Sequence, residues 1–166
     1  MEGPEIGKFL TEFRFDYTCS REDVRNLTIW FPNIKKLRMP LDNDQFSKVC
    51  KRWRDLKEIV ILGNDMTDHG ITGRILPCKH YQHTLRIRPN ITDLTKLRSF
   101  KISNGTIVPS KLMDNSAIHG FLLCPHLQVL KIASQMNDQT RKELSAKIPN
   151  CNITRVKYNR DPADSD

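Results

Sequence analysis

The sequence of 166 residues lacks the features of an exported or membrane-spanning chain. Residues 1–9 contain no apolar run of the kind found in a signal peptide, and no stretch approaches the ~20 apolar residues that cross a bilayer. The five cysteines include no Cys-x-x-Cys pair, and they are widely spaced and odd in number. This spacing favours reduced, buried thiols over a disulfide framework. We therefore expect a cytoplasmic or nuclear protein that does not contact a membrane.

The sequence also lacks the residue patterns of common catalytic and cofactor sites. It contains no glycine-rich phosphate loop and no carboxylate cluster suited to a metal. Cys124 lies near His119 and His126, but it directly precedes a predicted strand, where a small apolar residue is expected. The segment 78–83, Cys-Lys-His-Tyr-Gln-His, offers three zinc ligands, yet no fourth ligand has zinc-site spacing. We expect no enzyme activity, no cofactor and no metal, with a zinc site at 78–83 as the open alternative.

A strand pattern does recur along the chain: one apolar residue, two variable ones, an apolar, a variable and another apolar. The first apolar residues of its six copies are Leu10, Ile34, Leu56, Leu97, Leu127 and Ile153. Successive copies are 24, 22, 41, 30 and 26 residues apart, and a period of ~20–30 residues is typical of leucine-rich repeats. The 41-residue step contains a seventh candidate strand at 85–87, so we interpret 77–96 as an irregular repeat or an insertion.

Amphipathic segments between these strands predict helices that return the chain to the next strand. Ser20 and Asp23 form a capping-box pattern ahead of one such segment, whose apolar face contains Val24, Leu27 and Trp30. Further helices are predicted from about residue 43 and over 68–77, 111–123 and 138–148. Strand and helix therefore alternate, as they do in a right-handed parallel solenoid.

The expected fold is α/β, a short curved leucine-rich-repeat solenoid with a parallel sheet on its concave face and helices on its convex face. This domain spans residues 10–158 and follows an N-terminal segment, residues 1–9. Residues 159–166 are polar and acidic without apolar periodicity, so we expect a disordered tail there.

Three segments resemble the cysteine-containing repeats of F-box leucine-rich-repeat proteins. They are Phe31-Pro-Asn-Ile34-Lys-Lys-Leu37, Cys124-Pro-His-Leu127-Gln-Val-Leu130 and the segment 56–71, which continues from a strand into Thr67-Asp68-His-Gly70. The resemblance covers the leucine-rich-repeat portion, residues 10–158, and no recognisable F-box precedes it. It implies a protein-binding module that selects substrates for a cullin-type ubiquitin ligase, with components of that ligase among its partners.

The variable residue between the last two apolar positions should point out of the middle of the concave face, because strand side chains alternate. We call these residues the central column: Arg14, Arg38, Val60, Arg86, Lys101, Lys131 and Lys157. Six of the seven are basic, whereas the chain's share of lysine and arginine predicts about one. A flanking column, two residues earlier in each strand, adds Lys36 and Arg155. The net charge of +8 agrees with an acidic partner.

We therefore predict that the concave face binds an acidic or phosphorylated segment of a protein. One alternative is a solvated sheet face without a ligand, since long cationic side chains also protect strands. Another is a free-standing scaffold without a ligase link. An RNA-binding surface is the third, but the strand aromatics occupy core positions and leave no platform for bases. We do not expect nucleic acid as a partner.

Overall fold

The computed structural model describes residues 5–63, 66–73, 88–103, 120–134 and 138–155. Within these residues, six parallel strands form one sheet, and their order in the sheet is their order in the chain. The strands are β1 Glu12–Arg14, β2 Lys36–Pro40, β3 Glu58–Leu62, β4 Ser99–Ser103, β5 Val129–Ser134 and β6 Asn150–Arg155. The predicted α/β class with a parallel sheet is confirmed.

Helices connect several of these strands. They are α1 Arg21–Trp30, α2 Asn43–Arg52, α3 Asp68–Thr72 and α4 Asp138–Lys147, with 3-10 turns at Glu5–Phe9 and Ile91–Asp93 and helical backbone at 120–122. The capping box predicted at Ser20 and Asp23 begins α1, and a second one, Asp42 with Gln45, begins α2. No helix in the described ranges is long and apolar enough to cross a membrane.

The helix predicted over 68–77 is shorter than expected. Its N-cap is Thr67, and its C-cap is Gly73, which has the left-handed φ of 69°. That conformation ends the helix and suits glycine, which has no Cβ to clash. Residues 74–77 of the prediction lie outside the described residues, as does most of the helix predicted over 111–123.

The core lies between the sheet and the helices. The inner strands β2 to β5 bury alternate residues, and Phe46, Val49 and Cys50 of α2, with its C-cap Trp53, are buried against them, as the periodicity predicted. The Phe100 ring of β4 packs between those of Phe46 and Phe121, with ring centroids 6.1 and 5.1 Å away. The indole N–H of the buried Trp53 donates to the backbone carbonyl of Phe31 at 2.7 Å. This bond ties the end of α2 to the end of α1.

The last strand begins earlier in the chain than the sequence pattern indicated. The pattern placed Ile153, Val156 and Tyr158 at the apolar positions, but Leu130 of β5 pairs with Cys151 and Ile132 pairs with Ile153. The first apolar position therefore belongs to Ile148, which is buried. The predicted register was therefore wrong. Ile148, Cys151 and Ile153 have the same apolar spacing as the predicted residues, and they follow α4 directly.

Two other expectations about the strands also change. β3 pairs directly with β4, since Val60 is opposite Lys101, so no seventh strand lies between them; residues 85–87 are outside the described residues. At the other end of the sheet, Leu10 and Phe15 were predicted in the core, but each has 37% of its surface exposed. β1 ends at Arg14, so Phe15 lies beyond the strand.

Candidate functional site: a basic sheet face

The sheet face turned away from the core carries five of the eight predicted binding residues, and we call it the open face. Strand registry aligns its side chains in two rows. In the structure the central column contains neither Arg86 nor Lys157 of the prediction, and it consists of Arg14, Arg38, Val60, Lys101, Lys131 and Asn152. The flanking column consists of Glu12, Lys36, Glu58, Ser99, Val129 and Asn150. The predicted alignment of Arg14, Arg38, Lys101 and Lys131 is therefore present, and Lys36 lies beside it.

The remaining predicted site residues do not join these rows. Arg86 lies outside the described residues, and the direct pairing of β3 with β4 leaves no position for it between Val60 and Lys101. Lys157 also lies outside them. Arg155 was predicted in the flanking column, but it is opposite Ser134 at the far end of β5, and Asn150 occupies the flanking position. The earlier start of β6 causes this difference.

The part of the open face formed by β1, β2 and β3 is balanced in charge. Arg14 pairs with Glu12 at 2.6 Å, and Arg38 pairs with Asp16 at 3.1 Å. A third pair joins neighbouring strands, because the ammonium group of Lys36 lies 3.2 Å from a carboxylate oxygen of Glu58. Each of these cations therefore has an acidic partner within the chain.

The part formed by β4, β5 and β6 differs. Lys101 and Lys131 are direct register partners, and in the described part of the chain neither forms a salt bridge. Lys101 is half-buried and Lys131 is exposed. Both line a shallow depression together with Val129, Asn150 and Asn152. Two ammonium groups and two amides can donate hydrogen bonds to a carboxylate or phosphate there, and Val129 offers an apolar contact.

The described cysteines have raised pKa values. Burial raises the pKa of Cys124 to about 12, and its thiol lies 3.4 Å from the carbonyl oxygen of Gly120. Burial, with the nearby Asp93 carboxylate, also raises the pKa of Cys50. Both are therefore thiols near neutral pH. Among the described residues no group of three metal-ligating side chains is close enough to share an ion, and segment 78–83 lies outside them.

A second group of cations was missed by the sequence-based prediction. Lys35, Lys57 and Arg98 each directly precede a strand, and they line a depression with Lys96, His126 and Asp55. The sequence did contain a signal for this group. The residue just before each flanking position is basic ahead of β2, β3 and β4. The open face is therefore not the only basic surface in the described part of the molecule.

No protein-family model, curated protein or solved structure significantly matches this chain. The geometry of the two basic surfaces is consequently what indicates a function.

Proposed function

We propose that the chain is a leucine-rich-repeat solenoid that binds an acidic or phosphorylated segment of another protein across its open face. The observation that carries this proposal is the Lys101–Lys131 pair. Like charges on adjacent strands destabilise a sheet, and neither lysine of the pair forms a salt bridge among the described residues, whereas Arg14, Lys36 and Arg38 each form one. A carboxylate or phosphate from a partner would supply the missing charge.

The surroundings of the pair favour an extended protein segment over RNA. Half-buried Val60 and Val129 lie beside the two lysines, so aliphatic parts of a peptide can pack while its acidic groups pair. Single-stranded RNA would need aromatic rings for stacking. In the described strands, the aromatic residues Phe13 and Phe100 contribute to the buried side of the sheet, and the open face contains none.

The resemblance to F-box leucine-rich-repeat proteins supports a narrower form of the proposal, in which the bound protein is a substrate of a cullin-type ubiquitin ligase. A free-standing scaffold would use the same surface without the ligase. Affinity capture separates the two forms, because only the first recovers cullin-ligase components together with the acidic partner.

A labelled oligoglutamate peptide tests binding directly by fluorescence anisotropy at low salt. Replacing Lys101 and Lys131 with glutamate should weaken binding by more than about tenfold, because two attractive contacts become repulsive. The control variant replaces Lys142 and Lys147, which are exposed on α4, with glutamate. It changes the net charge by the same amount as the variant of Lys101 and Lys131. Equal weakening by both variants would show that only net charge matters and would contradict a site at the pair.

A further inference from the structure

The edge of the sheet where the strands begin carries a stack of three basic residues. Backbone hydrogen bonds define this stack. The N–H groups of Lys57 and Glu58 both donate to the carbonyl of Lys35, at 2.8 and 3.1 Å. Those of Arg98 and Ser99 both donate to the carbonyl of Lys57, at 2.8 and 3.0 Å. The repeated bonding places Lys35, Lys57 and Arg98 at successive levels, ~4.8 Å apart as in adjacent strands.

Lys96, His126 and Asp55 complete the amino-edge pocket, a surface depression of about 410 Å³ lined by these six residues. The ammonium group of Lys96 lies 2.6 Å from a carboxylate oxygen of Asp55. This hydrogen bond and the charge of Lys96, with smaller effects of Lys35 and Lys57, lower the pKa of Asp55. Asp55 is therefore ionised at neutral pH, and it holds Lys96 to one side.

The charges in the pocket do not cancel. The pocket is lined by four cations, namely its two stacked lysines, Arg98 and Lys96, and by one carboxylate, that of Asp55. The positive charges therefore outnumber the negative ones even when His126 is neutral. In the part of the chain that the structure describes, Lys35, Lys57 and Arg98 form no salt bridge. Three cations at neighbouring levels are thus available to one ligand.

We infer that the amino-edge pocket binds a dianionic phosphate group, either free or carried on a monoester. A tetrahedral group with two negative charges can contact cations at two adjacent levels at once, and the guanidinium group of Arg98 can hold two of its oxygens. A single carboxylate would neutralise less of the excess charge. The six lining residues include no phenylalanine, tyrosine or tryptophan, so the pocket offers little for a nucleobase to stack on.

This pocket is separate from the site of the proposed function. Lys35, Lys57 and Arg98 precede their strands, whereas Lys101 is the third residue of β4 and Lys131 the third residue of β5. Substitutions at one site therefore leave the charges of the other in place. The failure of either proposal is consequently distinguishable from the failure of the other.

The test titrates the full chain with phenyl phosphate at constant ionic strength and follows backbone amide shifts by NMR. We expect saturable shifts centred on Lys57, Arg98 and His126. Replacing Lys57 and Arg98 with glutamine should weaken binding by about tenfold or more, because hydrogen bonds to charged groups are lost. Asp55→Asn should tighten binding, since it removes a competing anion and releases Lys96. A gain in affinity cannot result from unfolding, so it guards against misfolded variants.

Two further ligands identify the source of the phosphate group. Similar affinities for inorganic phosphate and for a phosphoserine peptide would support a site for free phosphate. Tighter binding of the peptide would support a phosphorylated protein as the source. The control variant, Lys142→Gln with Lys147→Gln, should bind all three ligands normally. The inference is overturned if none of them saturates, if sodium chloride produces the same shifts, or if the Lys57 and Arg98 variant binds unchanged.

Discussion

Lys101 and Lys131 are directly opposite each other on adjacent parallel strands, and neither forms a salt bridge in the described part of the chain. Two strands away, Lys36 is directly opposite Glu58, and their charged groups are 3.2 Å apart. The same sheet face therefore contains a like-charged pair and an oppositely charged pair in equivalent cross-strand positions. The two pairs should affect stability with opposite signs.

Neutralising one lysine of each pair tests this contrast. We expect Lys131→Gln to raise the free energy of unfolding by about 0.2–1 kcal/mol, because it removes repulsion between strands. We expect Lys36→Gln to lower it by a similar amount, because it removes an attraction. Urea denaturation at low salt measures both values, and about 1 M salt should shrink both differences. The same sign for both variants at low salt would contradict the assigned charge environment.

The two tryptophans provide a second test. The indole N–H of the buried Trp53 donates to the Phe31 carbonyl, whereas Trp30 has 38% of its surface exposed. Trp53→Phe should lower the free energy of unfolding by about 1–3 kcal/mol, because it leaves a cavity and an unsatisfied carbonyl.

Trp30→Phe is the matched control and should change stability by less than about 0.5 kcal/mol. In the Trp30→Phe variant, the fluorescence of the remaining Trp53 should resist acrylamide quenching. Strong quenching there, or equal destabilisation by the two variants, would show that Trp53 is not buried at the junction of α1 and α2.

The apolar spacing predicted most strands because alternation fixes which residues of a strand can be buried. Leu37, Ile59, Phe100 and Leu130 all occupy the buried positions that the pattern assigned. The last strand was misplaced because Ile148 fits two patterns. It continues the apolar face of α4, and its N–H still donates to the Leu144 carbonyl at 2.8 Å, yet it also begins the strand pattern that β6 adopts.

The candidate sites were predictable only in part. Cross-strand registry follows from the repeat, so the alignment of Lys101 with Lys131 could be predicted. The partner of Arg38 could not, because Asp16 lies beyond β1 and its contact depends on how the chain leaves the strand. The amino-edge pocket was missed although the residue just before each flanking position is basic ahead of β2, β3 and β4. The seventh strand predicted at 85–87 would also have separated Asp55 from Lys96, which pair because β3 and β4 are direct neighbours.

Two glycines with positive φ differ in their surroundings and give a third test. Gly73 has φ 69°, and a Cβ atom there would collide with the Arg88 carbonyl. Gly63 has φ 93°, and a Cβ atom there would meet nothing within 4 Å. Gly63→Ala should cost about 1–2 kcal/mol for the backbone conformation alone. Gly73→Ala should cost more, since the N–H of Arg88 also donates to the Gly73 carbonyl at 2.8 Å.

Thermal or urea unfolding of the two alanine variants measures this difference. A Gly73→Ala variant as stable as Gly63→Ala would mean that the backbone around Arg88 moves freely, and it would contradict the close approach of residues 73 and 88.

Cysteine reactivity is the fourth test. Burial raises the pKa of Cys124 to about 12 and also raises that of Cys50, while Cys19 and Cys151 are only half-buried. Because the thiolate is the nucleophile, iodoacetamide at about pH 8 should label Cys19 and Cys151 before Cys50 and Cys124, which should react only after unfolding.

The same shift has a consequence for stability at alkaline pH. The unfolded thiol ionises near its ordinary pKa of 9.0, whereas Cys124 in the folded chain stays protonated until about 12. Its contribution to stability is therefore complete below pH 9 and decreases as pH rises from there to about 12.

Peptide mapping by mass spectrometry, with urea-unfolded protein as the control, gives the iodoacetamide labelling rate at each cysteine. If Cys124 in the native chain reacts as fast as Cys19, its thiol is accessible, and the burial that raises its pKa is absent in solution.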